Sequence, residues 1–272
     1  MRYDSTEYLL AFAREQVILA GQMALKAFRH VNGWLKENRS LVTEADMAVQ
    51  GSIQEAIRRK FPDHQLLSEE FSAAERPDPN SEWLWVLDPI DGTEAFASGL
   101  PVWGVSLALY KKGRPVLGVF YMPVTQEFYH AAAEGPAMLT LFPGKPEEQN
   151  RELRVTTLPT LTNRTLFCIP SDFHRKFTSD FPGKQRTMGS IAAHLCIVAR
   201  GDAIGAIFNV HCWDIAAGAL IIRKAGGELY ELATGEPVAV EEGFAGQRLP
   251  WGLAVPSKKI FNQIKPMLTP RL

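Results

Sequence analysis

Two carboxylates three positions apart, at the end of an apolar run, are the residues of this 272-residue chain best equipped for chemistry: Trp83-Leu84-Trp85-Val86-Leu87-Asp88-Pro89-Ile90-Asp91-Gly92-Thr93. An apolar strand that ends in Asp-x-x-Asp-Gly-Thr delivers acidic metal ligands, a close-approach backbone and a water-orienting hydroxyl to one edge of a sheet. A tight Pro-containing bend brings Asp88 and Asp91 to the same side with the Ile90 carbonyl between them, and hard oxygen donors of this kind suit Mg²⁺ or Mn²⁺. Gly92 lets the backbone approach a ligand, and a helix starting here turns its free N–H groups toward a phosphate. These are the parts needed to hydrolyse a phosphate ester with divalent ions. The same residues also read as a plain strand end, because Asp-Gly is a common turn dipeptide.

Two more acidic elements lie at distances that only a fold brings together. Leu66-Leu67-Ser68-Glu69-Glu70 is a second short apolar run ending in carboxylates. His211-Cys212-Trp213-Asp214-Ile215-Ala216-Ala217-Gly218 opens a helix that runs through Leu220, Ile221 and Ile222 to Gly226-Gly227. Asp214 sits where an N-cap belongs and the paired glycines where a helix stops. Capping alone accounts for Asp214, and a solvated pair accounts for Glu69 and Glu70.

Taken in order, Leu41-Val42-Thr43-Glu44-Ala45-Asp46, Ser68-Glu69-Glu70, Asp88-Pro89-Ile90-Asp91-Gly92-Thr93 and Trp213-Asp214-Ile215-Ala216-Ala217-Gly218 with Ala225-Gly226-Gly227 resemble the signature blocks of the inositol monophosphatase family. The resemblance implies that Glu69, Asp88 and the Ile90 carbonyl hold a first Mg²⁺, and that Asp88, Asp91 and Asp214 hold a second. It implies that Glu69 also reaches a third, weaker site, and that Thr93, hydrogen-bonded to Asp46, orients the attacking water. The catalytic residues are then Glu69, Thr93 and Asp46. Phosphate lies against the Gly92 and Thr93 backbone, and the alcohol lies near Asp214. Direct in-line attack by water, without a phosphoenzyme, is the implied mechanism. The blocks extend over most of the chain and are specific in combination.

A charge count agrees with two to three ions. Glu69, Asp88, Asp91 and Asp214 together place four negative charges in a confined site, where they cannot all stay ionised without cations. Two divalent ions neutralise them, and a phosphate dianion then needs a third ion or other donors. Thr93 has too high a pKa to act as a base unaided, so its expected work is to orient water. Asp46 has a second role open to it, because Thr43-x-x-Asp46 has the spacing of a capping box.

Composition fits a soluble enzyme: 46% of the residues are hydrophobic, enough for a large core, and the net charge of −1 gives no electrostatic footprint for nucleic acid. Cys168, Cys196 and Cys212 are widely spaced without metal-type pairing, and read as buried thiols in a reducing cytoplasm. No targeting or membrane segment is expected, since Glu7, Arg14 and Glu15 interrupt the apolar pattern of the first helix, Ser5 to His30.

A second helix is expected over Val42 to Phe61, closed by Pro62. Period-two runs at Val105–Leu109, Val116–Phe120 and Glu127–His130 then suggest a meander with turns at Lys112-Gly113 and Pro123-Val124. Helices followed by a meander indicate an α+β arrangement. The family resemblance implies a layered α/β/α/β/α sandwich of the inositol monophosphatase / fructose-1,6-bisphosphatase type, and a homodimer. We read residues 1–272 as one catalytic unit with subdomains over 1–141 and 152–272, linked by the polar stretch Phe142 to Arg151.

The expected substrate is a small phosphate monoester. Arg186-Thr187-Met188-Gly189-Ser190 resembles the family segment lining the substrate pocket, which makes Gly189 and Ser190 substrate contacts; the alternative is a glycine turn with an N-capping serine. Ile207 departs from the pattern, because inositol-specific members carry a glutamate seven residues before the metal-binding aspartate. Phe96-Ala97-Ser98-Gly99-Leu100-Pro101-Val102-Trp103-Gly104 is similar to histidinol-phosphate phosphatases, with Trp103 as a ring cover or a core residue. Histidinol phosphate, fructose 1,6-bisphosphate and 3′-phosphoadenosine phosphates therefore compete with inositol phosphate. A non-catalytic binding or regulatory member of the family is the reading from another class. His194 and His211 are expected to pack or hydrogen-bond, not to hold metal.

Overall fold

The computed structural model describes residues 5–30, 33–35, 41–157 and 160–271. Helix α1 (Thr6–Ala27) starts where Ser5 accepts the Tyr8 N–H, and buries Leu9, Phe12, Ala13, Val17, Ala20 and Ala24 at helical spacing. A short antiparallel pair, β1 (Gly33–Leu35) and β2 (Leu41–Thr43), feeds directly into α2 (Glu44–Lys60). The capping box forms at this junction: Asp46 Oδ2 accepts the Thr43 N–H at 2.8 Å, and Thr43 Oγ1 accepts the Asp46 N–H at 3.4 Å.

Seven strands follow, with one short helix between the second and third. They are β3 (Gln65–Ser68), β4 (Trp83–Asp91), α3 (Thr93–Ala97), β5 (Gly104–Lys111), β6 (Arg114–Met122), β7 (Glu127–Ala132), β8 (Met138–Leu141) and β9 (Gln149–Glu152). Their order in the sheet is the order of sequence; β3 runs parallel to β4 and every later neighbour is antiparallel. The polar stretch Phe142 to Arg151, expected as a link between halves, does not leave this sheet: Gln149–Glu152 folds back on Met138–Leu141 as a hairpin. Pro and Gly there make the turn of that hairpin, which a reading by composition cannot tell from a linker.

The rest of the chain alternates. It supplies β10 (Leu166–Cys168), α4 (Phe173–Lys176), β11 (Phe177–Ser179), β12 (Lys184–Arg186), α5 (Ile191–Ala199), β13 (Gly205–Phe208), α6 (Cys212–Lys224), β14 (Glu228–Glu231), β15 (Gly252–Val255), α7 (Lys258–Ile264) and β16 (Leu268–Pro270). Five of these strands form a second sheet in the order β12-β10-β13-β15-β14, and β11 pairs with β16 apart from it.

Three apolar clusters hold the layers together. One joins α1 and α2 to the first sheet, through Phe12, Val17, Ile53, Trp85 and Leu107. A second fills the space between the sheets with α5 and α6, through Leu195, Ile215, Ile221 and Phe208. The third seats α7 on the outer face of the second sheet, through Phe167, Ile207, Val255 and Phe261. The result is the expected α/β/α/β/α stack. Small residues let α6 lie close on the first sheet: a Cβ at Gly118 of β6 would stand 2.8 Å from the Ala217 Cα of α6. All three cysteines are free and buried. Among the described residues no helix is long and apolar enough to cross a membrane.

Candidate active site

Residues three apart in a regular strand point to opposite faces, so β4 must break its register to present Asp88 and Asp91 together. It does so: Asp88 lies opposite Ser106 and Asp91 opposite Gly104, three steps on one strand against two on the other. The extra residue is a bulge, and Pro89 occurs within it, where its missing N–H costs no ladder bond. Both carboxylates are buried.

Helix α6 brings in the third carboxylate. The expected N-cap at Asp214 moves to His211, and Asp214 occupies the third helical position, where its Oδ2 accepts the His211 N–H at 2.8 Å. This is the acidic half of a capping box, so Asp214 keeps one oxygen for other work. One oxygen from each of Asp88, Asp91 and Asp214 lies within 4.8 Å of the others. Glu69 stands outside that group, just past the end of β3, where its N–H donates to the Leu87 carbonyl at 3.2 Å. Its charge nevertheless acts on all three aspartates.

Burial and mutual repulsion push these acids up. Asp88 is raised well above the usual carboxylate range, first by burial and then by the charges of Glu69, Asp91, Asp214 and Asp46. Asp214 is raised by burial and by Glu69 and Asp91, against the lowering influence of the His211 N–H and the Arg248 guanidinium. Asp91 is pushed up only to about 6, because hydrogen bonds from Ser190, Ala192 and Ile191 oppose its burial. Asp88 Oδ1 is buried with no hydrogen-bond partner. A buried acceptor without a donor, beside two more raised carboxylates, is a set of residues that fits a divalent cation.

Thr93, the first residue of α3, offers its one hydroxyl proton to two acceptors: the Ile90 carbonyl at 3.0 Å and Asp46 Oδ1 at 3.3 Å. Asp46 thus caps α2 through Oδ2 and reaches Thr93 through Oδ1, and the two roles coexist. Gly92 carries φ +97° and is wedged in place: a Cβ there would come within 3.1 Å of the Gly189 and Val102 carbonyls. Gly92 and Thr93 are half-buried.

Gly189 and Ser190 part company. Gly189 is exposed and borders a cleft of about 370 Å³ beside Glu94, Ala95 and Met188. Ser190, expected to touch substrate, is fully buried; its hydroxyl donates to Asp91 Oδ2 and accepts the Ala193 N–H at 3.0 Å. As the N-cap of α5 it turns inward, into the helix and toward the aspartate. Ile207 is also elsewhere. It is fully buried in β13 opposite Leu253, on the α7 side of the sheet, while its neighbours Ala206 and Phe208 face α5 and α6. Strand alternation therefore places it away from the carboxylates.

Trp103 is core, packed edge-on against Phe96 at 4.7 Å. His194 accepts the Met188 N–H at Nε2 at 3.1 Å, and His211 stacks on Trp213 at 4.6 Å. Arg248 was not foreseen. It sits in a loop with no motif around it, and only the fold shows its charge acting on Asp214 and His211.

Comparison with known proteins agrees with this arrangement. The sequence matches the inositol monophosphatase family over residues 5–260. It is 35% identical over 244 residues to a protein of Pasteurella multocida named Nus factor SuhB, covering 86% of each chain. It is 31% identical over 258 residues to the fructose-1,6-bisphosphatase/inositol-1-monophosphatase of Aquifex aeolicus, covering 90% of this chain and 93% of that one. Among solved structures it superimposes on the IMPase of Thermotoga maritima with a TM-score of 0.76 at 25% identity, over 93% of this chain and 96% of the other.

Proposed function

The chain belongs to the inositol monophosphatase family, and we propose that it hydrolyses small phosphate monoesters with the help of divalent metal, Mg²⁺ foremost and Mn²⁺ as a substitute. The carrying observation is the group of Asp88, Asp91 and Asp214 oxygens within 4.8 Å of one another, with Asp88 Oδ1 left unpartnered. With Glu69 at their edge and the Ile90 carbonyl on the bulge, these residues would hold two to three ions. Such ions supply the positive charge that makes water a nucleophile at neutral pH and offsets the charge of the departing alkoxide.

The chain's own groups do the rest. A Thr93 hydroxyl that donates its proton to Asp46 keeps an oxygen lone pair free to accept a hydrogen bond from water and so to orient it, with Asp46 already fixed by Thr43. Gly92, whose φ of +97° and close neighbours Gly189 and Val102 leave no room for a side chain, sets the turn whose backbone would meet the phosphate. Inositol phosphate, histidinol phosphate, fructose 1,6-bisphosphate and 3′-phosphoadenosine phosphates are the substrates to compare, and a cytoplasmic homodimer is part of the same proposal. The experiment is phosphate release from a panel of these esters with Mg²⁺ and with chelator. Release that depends on Mg²⁺ supports the reading, and undiminished turnover by metal-free protein rejects it.

A second reading, a non-catalytic partner-binding protein, draws support from the relative named as a Nus factor. Against it, Glu69, Asp88, Asp91, Asp214 and Thr93 are all in place. A panel with no hydrolysed ester, in a protein that Mg²⁺ still stabilises against heat, would favour that alternative.

A further inference from the structure

A cleft of about 360 Å³, lined by Ile191, Val210 and Arg248, lies next to the carboxylates of the site and does not include them. Two of its lining residues are tied to them by the backbone: the Ile191 N–H donates to Asp91 Oδ1 at 3.2 Å, and Val210 precedes His211, whose N–H donates to Asp214. Whatever alcohol leaves the phosphate near Asp214 can therefore extend into this cleft.

The rest of the lining is charged. Arg248 and Lys176 supply two cations against the single carboxylate of Asp172, and all three are exposed. None of the ion pairs between described residues engages Arg248 or Lys176. Arg248 is held in position, because its guanidinium donates to the Asn209 carbonyl while the Asn209 side-chain amide donates to the Leu249 carbonyl at 2.8 Å. A pocket for a neutral polyol has no need of two cations outside any ion pair, whereas a held guanidinium with an ammonium lining the same cleft matches a phosphate or carboxylate.

We propose that Arg248, assisted by Lys176, binds a second anionic group on the alcohol part of the substrate, so that the preferred esters carry a further phosphate or carboxylate. This rests on the hydrolase reading above and specifies its substrate class.

The test compares fructose 1,6-bisphosphate with fructose 1-phosphate, one sugar with and without a second phosphate. The ratio of kcat/KM should favour the bisphosphate at least tenfold in the wild type. It should fall about tenfold in Arg248→Gln, fall in Lys176→Gln and rise in Asp172→Asn. Because each ratio is taken within one protein, partial misfolding of a variant cancels. A wild-type ratio near one, or a ratio that Arg248→Gln leaves unchanged, overturns the proposal. If neither ester is hydrolysed, the rest of the panel decides whether the hydrolase reading fails. Calorimetric Kd values for the two esters then decide this inference separately: tighter binding of the bisphosphate, lost in Arg248→Gln, supports it and equal Kd values reject it.

Discussion

Ser190 donates its hydroxyl to Asp91 across 99 residues of sequence, tying the end of β4 in the first sheet to the start of α5 between the sheets. The Ala192 N–H donates to the same Asp91 oxygen at 2.7 Å and the Ile191 N–H to the other at 3.2 Å, so one carboxylate caps a helix and faces Asp88 and Asp214 at once. Three donors hold Asp91 near 6 despite its burial.

Removing one of those donors should be felt twice. Ser190→Ala loses the N-cap to Ala193, worth about 0.5–2 kcal/mol, and takes a lowering influence from Asp91. The metal-free protein should melt at a lower temperature, and half-maximal activation should need severalfold more Mg²⁺. Ser190→Thr should restore most of both. An unaltered Mg²⁺ requirement in Ser190→Ala would detach the serine from the metal function.

Asp88→Asn separates stability from activity. In the metal-free protein, Asp88 is the buried acid pressed by four neighbouring carboxylates, so its amide should leave the melting temperature equal or higher. Stabilisation by Mg²⁺, about 2.7 kcal/mol at a hundredfold excess over Kd for an intact site, should largely disappear along with phosphate release. Melting curves with and without Mg²⁺ read both effects, and a variant still stabilised like the wild type would remove Asp88 from the ligand set.

Thr93→Ala should lower kcat by roughly 10²–10⁴-fold, the usual range for proton-transfer assistance, with little change in the Mg²⁺ needed for half-activation. Thr93→Ser keeps the hydroxyl between Ile90 and Asp46 and should retain most of the rate. Full kcat in the alanine variant would mean that water is oriented by something else.

What the sequence disclosed was set by local chemistry. The first helices and the meander, the Thr43–Asp46 box and the Asp88/Asp91 edge follow from periodicity, capping spacing and the composition of a strand end, all of which act over a few residues, whereas the α/β/α/β/α stack came from the family resemblance. Phe142 to Arg151 misled because Pro and Gly mark a hairpin turn as readily as a linker. Of the two roles open to Ser190 it takes the N-cap, and its further partner Asp91 is one that nothing in its own segment reveals. Arg248 was invisible for the same reason: its effect on Asp214 exists only once the loop before β15 folds over α6. Ile207 shows the limit of matching positions by counting back from an aspartate, since strand parity decides which face a side chain meets.

That burial changes what Ile207→Glu should do. An isolated carboxylate among Phe167, Leu253 and Phe261 has no partner, and the substitution should destabilise by more than about 3 kcal/mol without creating selectivity for polyols. Ile207→Val should cost only about 0.5–1.5 kcal/mol. Denaturant titration checks the first point. The kcat/KM ratio for inositol 1-phosphate over glycerol 2-phosphate checks the second, and a ratio raised by glutamate would put this side chain back in the pocket.

His194 gives the fold a pH dependence with a definite sign. Its Nε2 accepts the Met188 N–H at 3.1 Å, beside the Gly189-Ser190 turn, and burial pushes its pKa down to about 4. An imidazolium has no lone pair for that bond, so the native state resists protonation while the unfolded chain accepts a proton near 6.5. The stabilisation is therefore complete above about pH 6.5 and is lost progressively as pH falls toward about 4. By pH 5 the loss should reach about 2 kcal/mol, or roughly 4–8 °C in melting temperature for a chain of this size. His130, also lowered to about 4 by burial, contributes equally to wild type and variant and cancels in the difference. His194→Gln supplies a carbonyl oxygen for Met188 that does not titrate, so between pH 7 and pH 5 the wild type should lose 4–8 °C more than the variant, by the same estimate. Parallel melting curves across that range would show that His194 does not carry this dependence.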